Sequence, residues 1–307
     1  RNSIQSWQKA SLLVGLNQYV LKTNDTKTAK IIADFVASEI DDNGNWKRTP
    51  TEIDAVILGY AILKLDTNTI QKCKPAFDFL YQFILNLKGN DGIIAYRKHN
   101  PDFRYVDTIG FISPFLVRYG LLFHDEHALQ IGINQIKAFN QYGLLKDTFI
   151  PCHTYNVASK LPVGLFGWGR GLGWYAIGLI DSWNELPENH PYKAELTQNV
   201  ISFAKMAIAN QKENGAWSWL ILNKDSQNDS STVATLAWFL ANAAILPEIS
   251  TACNVAQVKA LHYLMKVTRR SGAIDFSQGD TKGIGVHSQH FDILPFTQGF
   301  CLRTISI

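Results

Sequence analysis

Cysteine is scarce in this chain. Cys73, Cys152, Cys253 and Cys301 are scattered over 307 residues, with no C-x-x-C pair and no zinc spacing. A disulfide scaffold and a structural zinc site are therefore excluded, and buried free thiols are expected. Basic runs are missing too. Lys and Arg number 29 against 26 Asp and Glu, a formal net charge of +3. Nucleic acid is thus not an expected partner, although a mild positive balance suits an anionic sugar. No stretch of 18 apolar residues occurs, so no membrane span is expected. No Ser-His-Asp order, phosphate loop or dinucleotide fingerprint is found. The only close histidine pair, His124-Asp125-Glu126-His127, sits on a polar segment entering a helix and reads as solvated rather than metal-binding. The chain opens on Arg1 with neither Met nor leader. That reads as a trimmed or processed form and hides the compartment.

What is present is a globular composition, 46% hydrophobic and 18% charged, in a length that can bury a large core as two domains or one toroid. Strand-like alternation is almost absent. Apolar residues instead recur three and four positions apart in Ile31–Ala37, Phe77–Leu87, Val200–Ala209, Val233–Leu246 and Val255–Val267, as helices with one buried face require. Turns with glycine at 44, 92, 143, 215 and 272 separate these segments at intervals of 48, 51, 72 and 57 residues. Glycine closes such turns because it takes positive φ cheaply. A period near 50 fits a helical hairpin, and six hairpins would fill the chain as one domain spanning 1–307. The class is all-α.

Polar groups recur at a similar phase after those glycines. Asp54 follows Gly44 by ten residues, Asp107 follows Gly92 by fifteen and His153 follows Gly143 by ten. Asp229 follows Gly215 by fourteen, and Thr281-Lys282 follow Gly272 by nine and ten. In a closed ring of hairpins, equivalent positions converge on one rim. Helix capping explains the same pattern, and Asp229 before Ser230-Ser231 reads as a cap. Asp54 and Asp107 sit among Ile, Ala, Val and Gly. Apolar surroundings and a second carboxylate both disfavour the charged form, leaving one proton available for general acid work. Paired carboxylates of this kind often carry glycoside chemistry.

The most distinctive stretch is Trp168-Gly169-Arg170-Gly171-Leu172-Gly173-Trp174-Tyr175. Its alternate glycines predict a tight loop that gathers two indoles and a guanidinium, with a helix starting at Trp174. An indole face suits a sugar ring and a guanidinium fork suits a carboxylate. Aromatic residues reach 12%, with eight Trp, a composition that carbohydrate-active proteins share.

These residues resemble the unsaturated rhamnogalacturonyl hydrolases of glycoside hydrolase family 105 and the related unsaturated glucuronyl hydrolases of family 88. The resemblance rests on Arg104-Tyr105-Val106-Asp107-Thr108, His153-Thr154-Tyr155, the Trp168–Tyr175 stretch and Asp280-Thr281-Lys282-Gly283. It implies an (α/α)6 barrel and an acidic oligosaccharide substrate whose terminal uronate carries a C4=C5 double bond. Asp107 matches the residue that protonates C4 and then activates water, and Asp54 matches the second family Asp. His153, Arg170 and Trp174 match uronate-contacting positions, and Thr281 and Lys282 a substrate-binding loop; Trp168 is a substrate-binding candidate through its indole. No metal or organic cofactor is implied. The chain departs from the family pattern where Tyr96-Arg97 replaces a His-Lys pair and Tyr105 replaces a Trp. Leu172 stands for Asn or Ser, Asn156 for an acidic residue, and Lys9 near Trp7 for a Tyr. A hydrolase of a saturated sugar on the same toroid, and a catalytically dead sugar-binding protein, are the competing expectations.

Overall fold

The computed structural model describes residues 4–307. Among them twelve helices follow in order: α1 (Ser6–Thr23), α2 (Thr26–Glu39), α3 (Ala55–Leu63), α4 (Thr67–Lys72), α5 (Lys74–Leu85), α6 (Val106–Phe123), α7 (Glu126–Tyr142), α8 (Gly169–Glu185), α9 (Lys193–Ala209), α10 (Ser230–Ala243), α11 (Ser250–Lys266) and α12 (Pro295–Ile305). The periodic segments picked out in the sequence all fall within or largely within these helices.

Composition sorts the helices into two layers. Every residue of α3, Ala-Val-Ile-Leu-Gly-Tyr-Ala-Ile-Leu, is buried, whereas α2 buries only Ile32 and Val36. A helix apolar on all sides must be enclosed, and one with an apolar stripe must lie outside it. The enclosed helices α1, α3, α6, α8, α10 and α12 each pack on the next, and α12 packs back on α1. This is an (α/α)6 barrel, with α2, α4–α5, α7, α9 and α11 as its outer layer. The closing seam depends on two glycines. A Cβ on Gly15 would stand 2.4 Å from the Gly299 carbonyl oxygen, and one on Gly299 would stand 2.2 Å from the Ser11 carbonyl oxygen. Helix α6 is long and apolar enough to cross a membrane, contrary to the expectation from sequence. Its apolar residues from Val106 to Val117 are buried in the barrel instead.

Two small sheets sit on the mouth. Strands β1 (Phe103–Tyr105), β2 (Cys152–Asn156) and β3 (Pro162–Phe166) form one, in the order β1-β2-β3, and β4 (Ser277–Gln278) pairs with β5 (Phe291–Asp292). The β2–β3 hairpin fills the long 72-residue interval between turn glycines. The Trp168 stretch, expected to be a tight loop ahead of a helix starting at Trp174, is not a loop at all. Gly169, Gly171 and Gly173 lie in the first turns of α8. A Cβ at Gly169 would meet Thr232 Oγ1 at 2.3 Å, and one at Gly173 would meet Thr235 Oγ1 at 2.6 Å. These glycines let α8 lie close against α10; their value is in missing side chains, not in backbone freedom. Of the five turn glycines, Gly44, Gly92, Gly215 and Gly272 have positive φ, while Gly143 caps α7 at φ −107°.

Helix starts separate the aspartates. Asp25, Asp66, Asp125 and Asp229 each accept a backbone N–H of their own helix. Asp229 also takes the Ser231 and Thr232 hydroxyls and the Gln278 N–H, so it is the cap that its sequence context indicated. Asp125 spends the His124–His127 segment's carboxylate on capping α7, and His127 meets the Tyr81 hydroxyl at 2.8 Å. Asp54, at the start of α3, makes no such cap bond. Cys73, Cys152 and Cys253 are buried free thiols, and Cys301 is half-buried.

At the opposite end of the barrel, buried charges are fully paired. Asp181 accepts Arg303 Nη1 at 2.7 Å and Trp238 Nε1 at 2.9 Å. Glu185 accepts Arg118 and Lys64 at 2.6 Å each and the Tyr60 hydroxyl at 3.0 Å.

Candidate active site

The N-terminal ends of α1, α3, α6 and α8 open onto one cavity of about 920 Å³. Asp54, Asp107, His153, Arg170, Trp168, Trp174, Tyr96, Arg97, Tyr105, Thr281 and Lys282 all line it. Residues from six separate stretches of sequence thus converge on one cavity; of the polar groups at the repeat phase, Asp54, Asp107, His153, Thr281 and Lys282 line it and Asp229 does not. The positive ends of the helix dipoles aimed at the cavity favour an anion there.

Asp107 sits in the first turn of α6, immediately after β1. Its side chain is 13% exposed, and Oδ2 is buried without a hydrogen-bond partner among the described residues. Burial raises its pKa to about 7, against the opposing pull of Arg170. At neutral pH the carboxyl is therefore poised between acid and base. The register of β1 and β2, with Tyr105 opposite Thr154, brings His153 beside it. His153 Nε2 lies 3.8 Å from Asp107 Oδ2. Burial, reinforced by His287, depresses the His153 pKa to about 3. The imidazole is neutral at pH 7, and the contact is a polar approach, not an ion pair.

Asp54 is half-buried, and burial raises its pKa while the Trp7 backbone N–H, donating at 3.4 Å, opposes the rise. Arg170 is 4% exposed. Its Nη2 donates to the Gly279 carbonyl at 3.4 Å, Asp280 is 3.7 Å from Nη1, and Nε has no partner among the described residues. Burial lowers its pKa, with Asp229, Asp280 and Asp107 holding it up; a guanidinium still remains charged. It is a buried cation with weak partners on the wall of the cavity.

Aromatic rings make the walls. Trp174 packs against Phe111 at 4.5 Å, Phe296 at 5.0 Å and Trp7 at 5.8 Å between centroids. Trp168 is fixed by its Nε1 donating to Gln278 Oε1 at 3.0 Å and meets His153 at a tilt, 4.7 Å between ring centroids. Tyr96 and Tyr105 lie 4.9 Å apart, and Asn100 holds the Tyr105 hydroxyl at 2.7 Å. The Arg97 guanidinium lies 4.7 Å from the Tyr96 ring and pairs with Glu52. Thr281 and Lys282 stand on the rim in the segment between β4 and β5.

Two departures from the family pattern prove to lie outside the cavity. Leu172 is wholly buried in the core, and the Asn156 side chain closes the β2–β3 turn by accepting the Ala158 and Ser159 N–H groups. Arg104 is structural as well, gripping Asp91 through Nε and Nη2 at 3.1 and 2.7 Å and so anchoring β1. Sequence reading missed Gln5 and Asp280, which face each other at 3.3 Å across the rim. It also missed His287, 5.4 Å from His153 and 4.9 Å from Trp168. Asp280 was visible inside a quoted motif; His287 follows no period that one sequence reveals. Among the described residues no three His, Cys, Asp or Glu converge as a metal ion would require.

The sequence model of glycosyl hydrolase family 88 matches residues 1–296. Solved structures share the fold. A possible member of glycoside hydrolase family 105 from Klebsiella pneumoniae superposes with a TM-score of 0.87 at 16% identity, covering 98% of this chain and 81% of its own. A family 105 glycoside hydrolase from C. acetobutylicum gives 0.85 at 18% identity, with 98% and 92% covered. The unsaturated glucuronyl hydrolase of Bacillus sp. GL1 gives 0.73 at 16% identity, with 98% and 85% covered.

Proposed function

The chain belongs to glycosyl hydrolase family 88, and from that premise we propose that it removes a terminal 4,5-unsaturated uronic acid from the oligosaccharides left by polysaccharide lyases. The observation that carries this reading is Asp107: a buried, unpartnered carboxyl with a pKa raised to about 7, facing a cavity that also holds Arg170. The substrate's C4=C5 bond is a vinyl ether, and its slow step is protonation. Asp107 in its acid form gives its proton to C4, and positive charge develops at C5 and the ring oxygen. The resulting carboxylate takes a proton from water as the water oxygen bonds to C5. The hemiketal then collapses, the ring opens and the glycosidic bond breaks, with one water consumed and the saturated leaving sugar released.

Arg170 receives the uronate carboxylate, a role supported by its weak pairing and the fork geometry of guanidinium. Trp168 and Trp174 form the apolar wall of this end of the cavity, and the neutral His153 beside Asp107 can accept or donate to a sugar hydroxyl without competing for the proton. Asp54 adds a second acidic group at the mouth, supporting orientation of the water and the sugar. The Bacillus relative's name, unsaturated glucuronyl hydrolase, supports the same reaction class. We assign the substrate more finely as unsaturated rhamnogalacturonan fragments from pectin, with rhamnose next to the uronate, on the sequence resemblance to the rhamnogalacturonyl enzymes. Lyase-generated disaccharides differing in the leaving sugar test both levels through the ultraviolet absorbance of the conjugated double bond. Enzyme-dependent loss on the rhamnose member, fastest in the panel, is the expected result. Fastest loss on another member reassigns the leaving sugar. No loss on any member removes the reaction and leaves a saturated-sugar hydrolase or a binding protein.

A further inference from the structure

We propose that the outer end of the cavity is a separate sugar subsite, in which the Trp46 ring stacks against a pyranose of the leaving oligosaccharide beyond the ring joined to the uronate. The direction of the oligosaccharide rests on the function proposed above. A cavity of about 920 Å³ lies near the top of the roughly 300–1,000 Å³ range of ligand sites and has room for more than one sugar. Its lining divides by topology. Asp107, His153, Arg170 and Trp174 come from the inner helices and the mouth sheet, whereas Glu39, Trp46 and Arg48 come from the end of α2 and the segment that carries the chain inward to Asp54 and α3. That segment runs from the outer layer to the inner one, which sets Trp46 at its outer end and Asp54 at its inner end.

Trp46 is built as a fixed platform. Its backbone bridges Ile40 across a turn in which Gly44 has φ +80° and the Asp41 carboxylate accepts the Asn43 and Asn45 N–H groups at 2.9 Å each. Its indole N–H donates to the Ala76 carbonyl at 2.9 Å. With its one polar atom spent inward, the surface it gives the cavity is carbon, which suits the C–H face of a sugar. The molecule contains its own control. The matching turn Glu213-Asn214-Gly215-Ala216-Trp217 sends its indole N–H to the Ala207 carbonyl at 2.8 Å in the same way, but Trp217 is wholly buried. The other cavity tryptophans, Trp7, Trp168 and Trp174, are buried too, while Trp46 keeps exposed surface. The Lys9–Glu39 pair at 2.6 Å and the exposed Arg48 line the same cavity and supply acceptors and donors for sugar hydroxyls.

The test compares double-bond loss on unsaturated di-, tri- and tetrasaccharides for the wild type, Trp46→Leu and Trp46→Phe. Leucine keeps apolar bulk without a flat face, and phenylalanine keeps the face. Trp46→Leu is expected to lose about tenfold in kcat/KM on the tetrasaccharide, with the disaccharide changed less than about twofold and Trp46→Phe close to wild type. Equal losses at every chain length, or none, would overturn the subsite. Calorimetric binding of the saturated tetrasaccharide to the wild type and Trp46→Leu separates the two proposals. If no unsaturated substrate is turned over, the hydrolase reading fails, and the subsite still stands if Trp46→Leu weakens that binding and falls if it does not.

Discussion

The same inner helices carry buried charge at both ends of the barrel, and the two ends treat it in opposite ways. On α8, Arg170 and the pair Asp181 and Glu185 are separated by eleven and fifteen residues, about 16–22 Å along the axis. At the floor every carboxylate oxygen has a partner. Burial alone would raise the Glu185 pKa, but Lys64 and Arg118 outweigh it and hold the group below its ordinary value. At the mouth burial wins. Asp107 rises to about 7, its Oδ2 and Arg170 Nε lack partners among the described residues, and the nearest acid to Arg170 is 3.7 Å away. Desolvating a charge costs several kcal/mol unless it is met by a partner. The floor meets that cost internally, which makes it a clamp across α3, α6, α8, α10 and α12. The mouth leaves it unmet among the described residues, as the proposed function requires of groups that receive a substrate.

The contrast can be broken or sharpened by substitution. The largest effect belongs to Asp107→Asn, which removes the proposed proton donor. Its kcat should fall about 10²–10⁴-fold in the absorbance assay while the fold survives. The same variant tests the electrostatics. Because the native pKa of about 7 lies above the ordinary 3.8, the wild type loses stability as pH rises between those values. Asp107→Asn should therefore melt above the wild type at pH 8, and this advantage should vanish below about pH 4; equal melting points at pH 8 would refute the burial argument. Next comes the floor. Asp181→Asn leaves Arg303 buried without its countercharge and should cost about 3–5 kcal/mol in denaturant unfolding, with KM unchanged in the folded protein. Arg170→Gln should do the reverse, raising KM for the acidic sugar about 10–100-fold with little loss of stability. A stability loss equal to that of Asp181→Asn would erase the distinction between the two ends. Smallest is the pH effect near neutrality. With Asp107 needed in its acid form, kcat/KM should roughly halve between pH 6 and pH 7 and decline further above. A flat profile from pH 6 to 9 would place the proton elsewhere.

Much of this was legible in the sequence, for identifiable reasons. Helical periodicity and the glycine spacing revealed the ring, because a hairpin repeat writes its period directly into the chain. The phase of Asp54, Asp107 and His153 pointed to the rim they share, although Asp229, at the same phase, caps α10 away from the cavity. Spacing alone could not tell a cap from a cavity carboxylate, since Asp229 and Asp54 both precede helices; the Ser230-Ser231 context of Asp229 indicated the cap, and the partners of the two carboxylates bear it out. The Trp168–Trp174 glycines were read as a loop because backbone entropy was weighed without the opposing contact. Thr232 and Thr235 of α10, some sixty residues on, are what those glycines accommodate. Leu172 stands out in sequence as a departure beside Arg170, but a helix turns successive side chains by about 100°. Its side chain faces the core instead.

The most direct test of the central claim is the reaction run in deuterated water, with the released uronate analysed by mass spectrometry and proton NMR over the first turnovers. Protonation of the double bond by Asp107 predicts one deuterium at C4, delivered to a single face, and loss of the C4=C5 bond in step with release of the leaving sugar. A released uronate that keeps its double bond and carries no deuterium at C4 would contradict it.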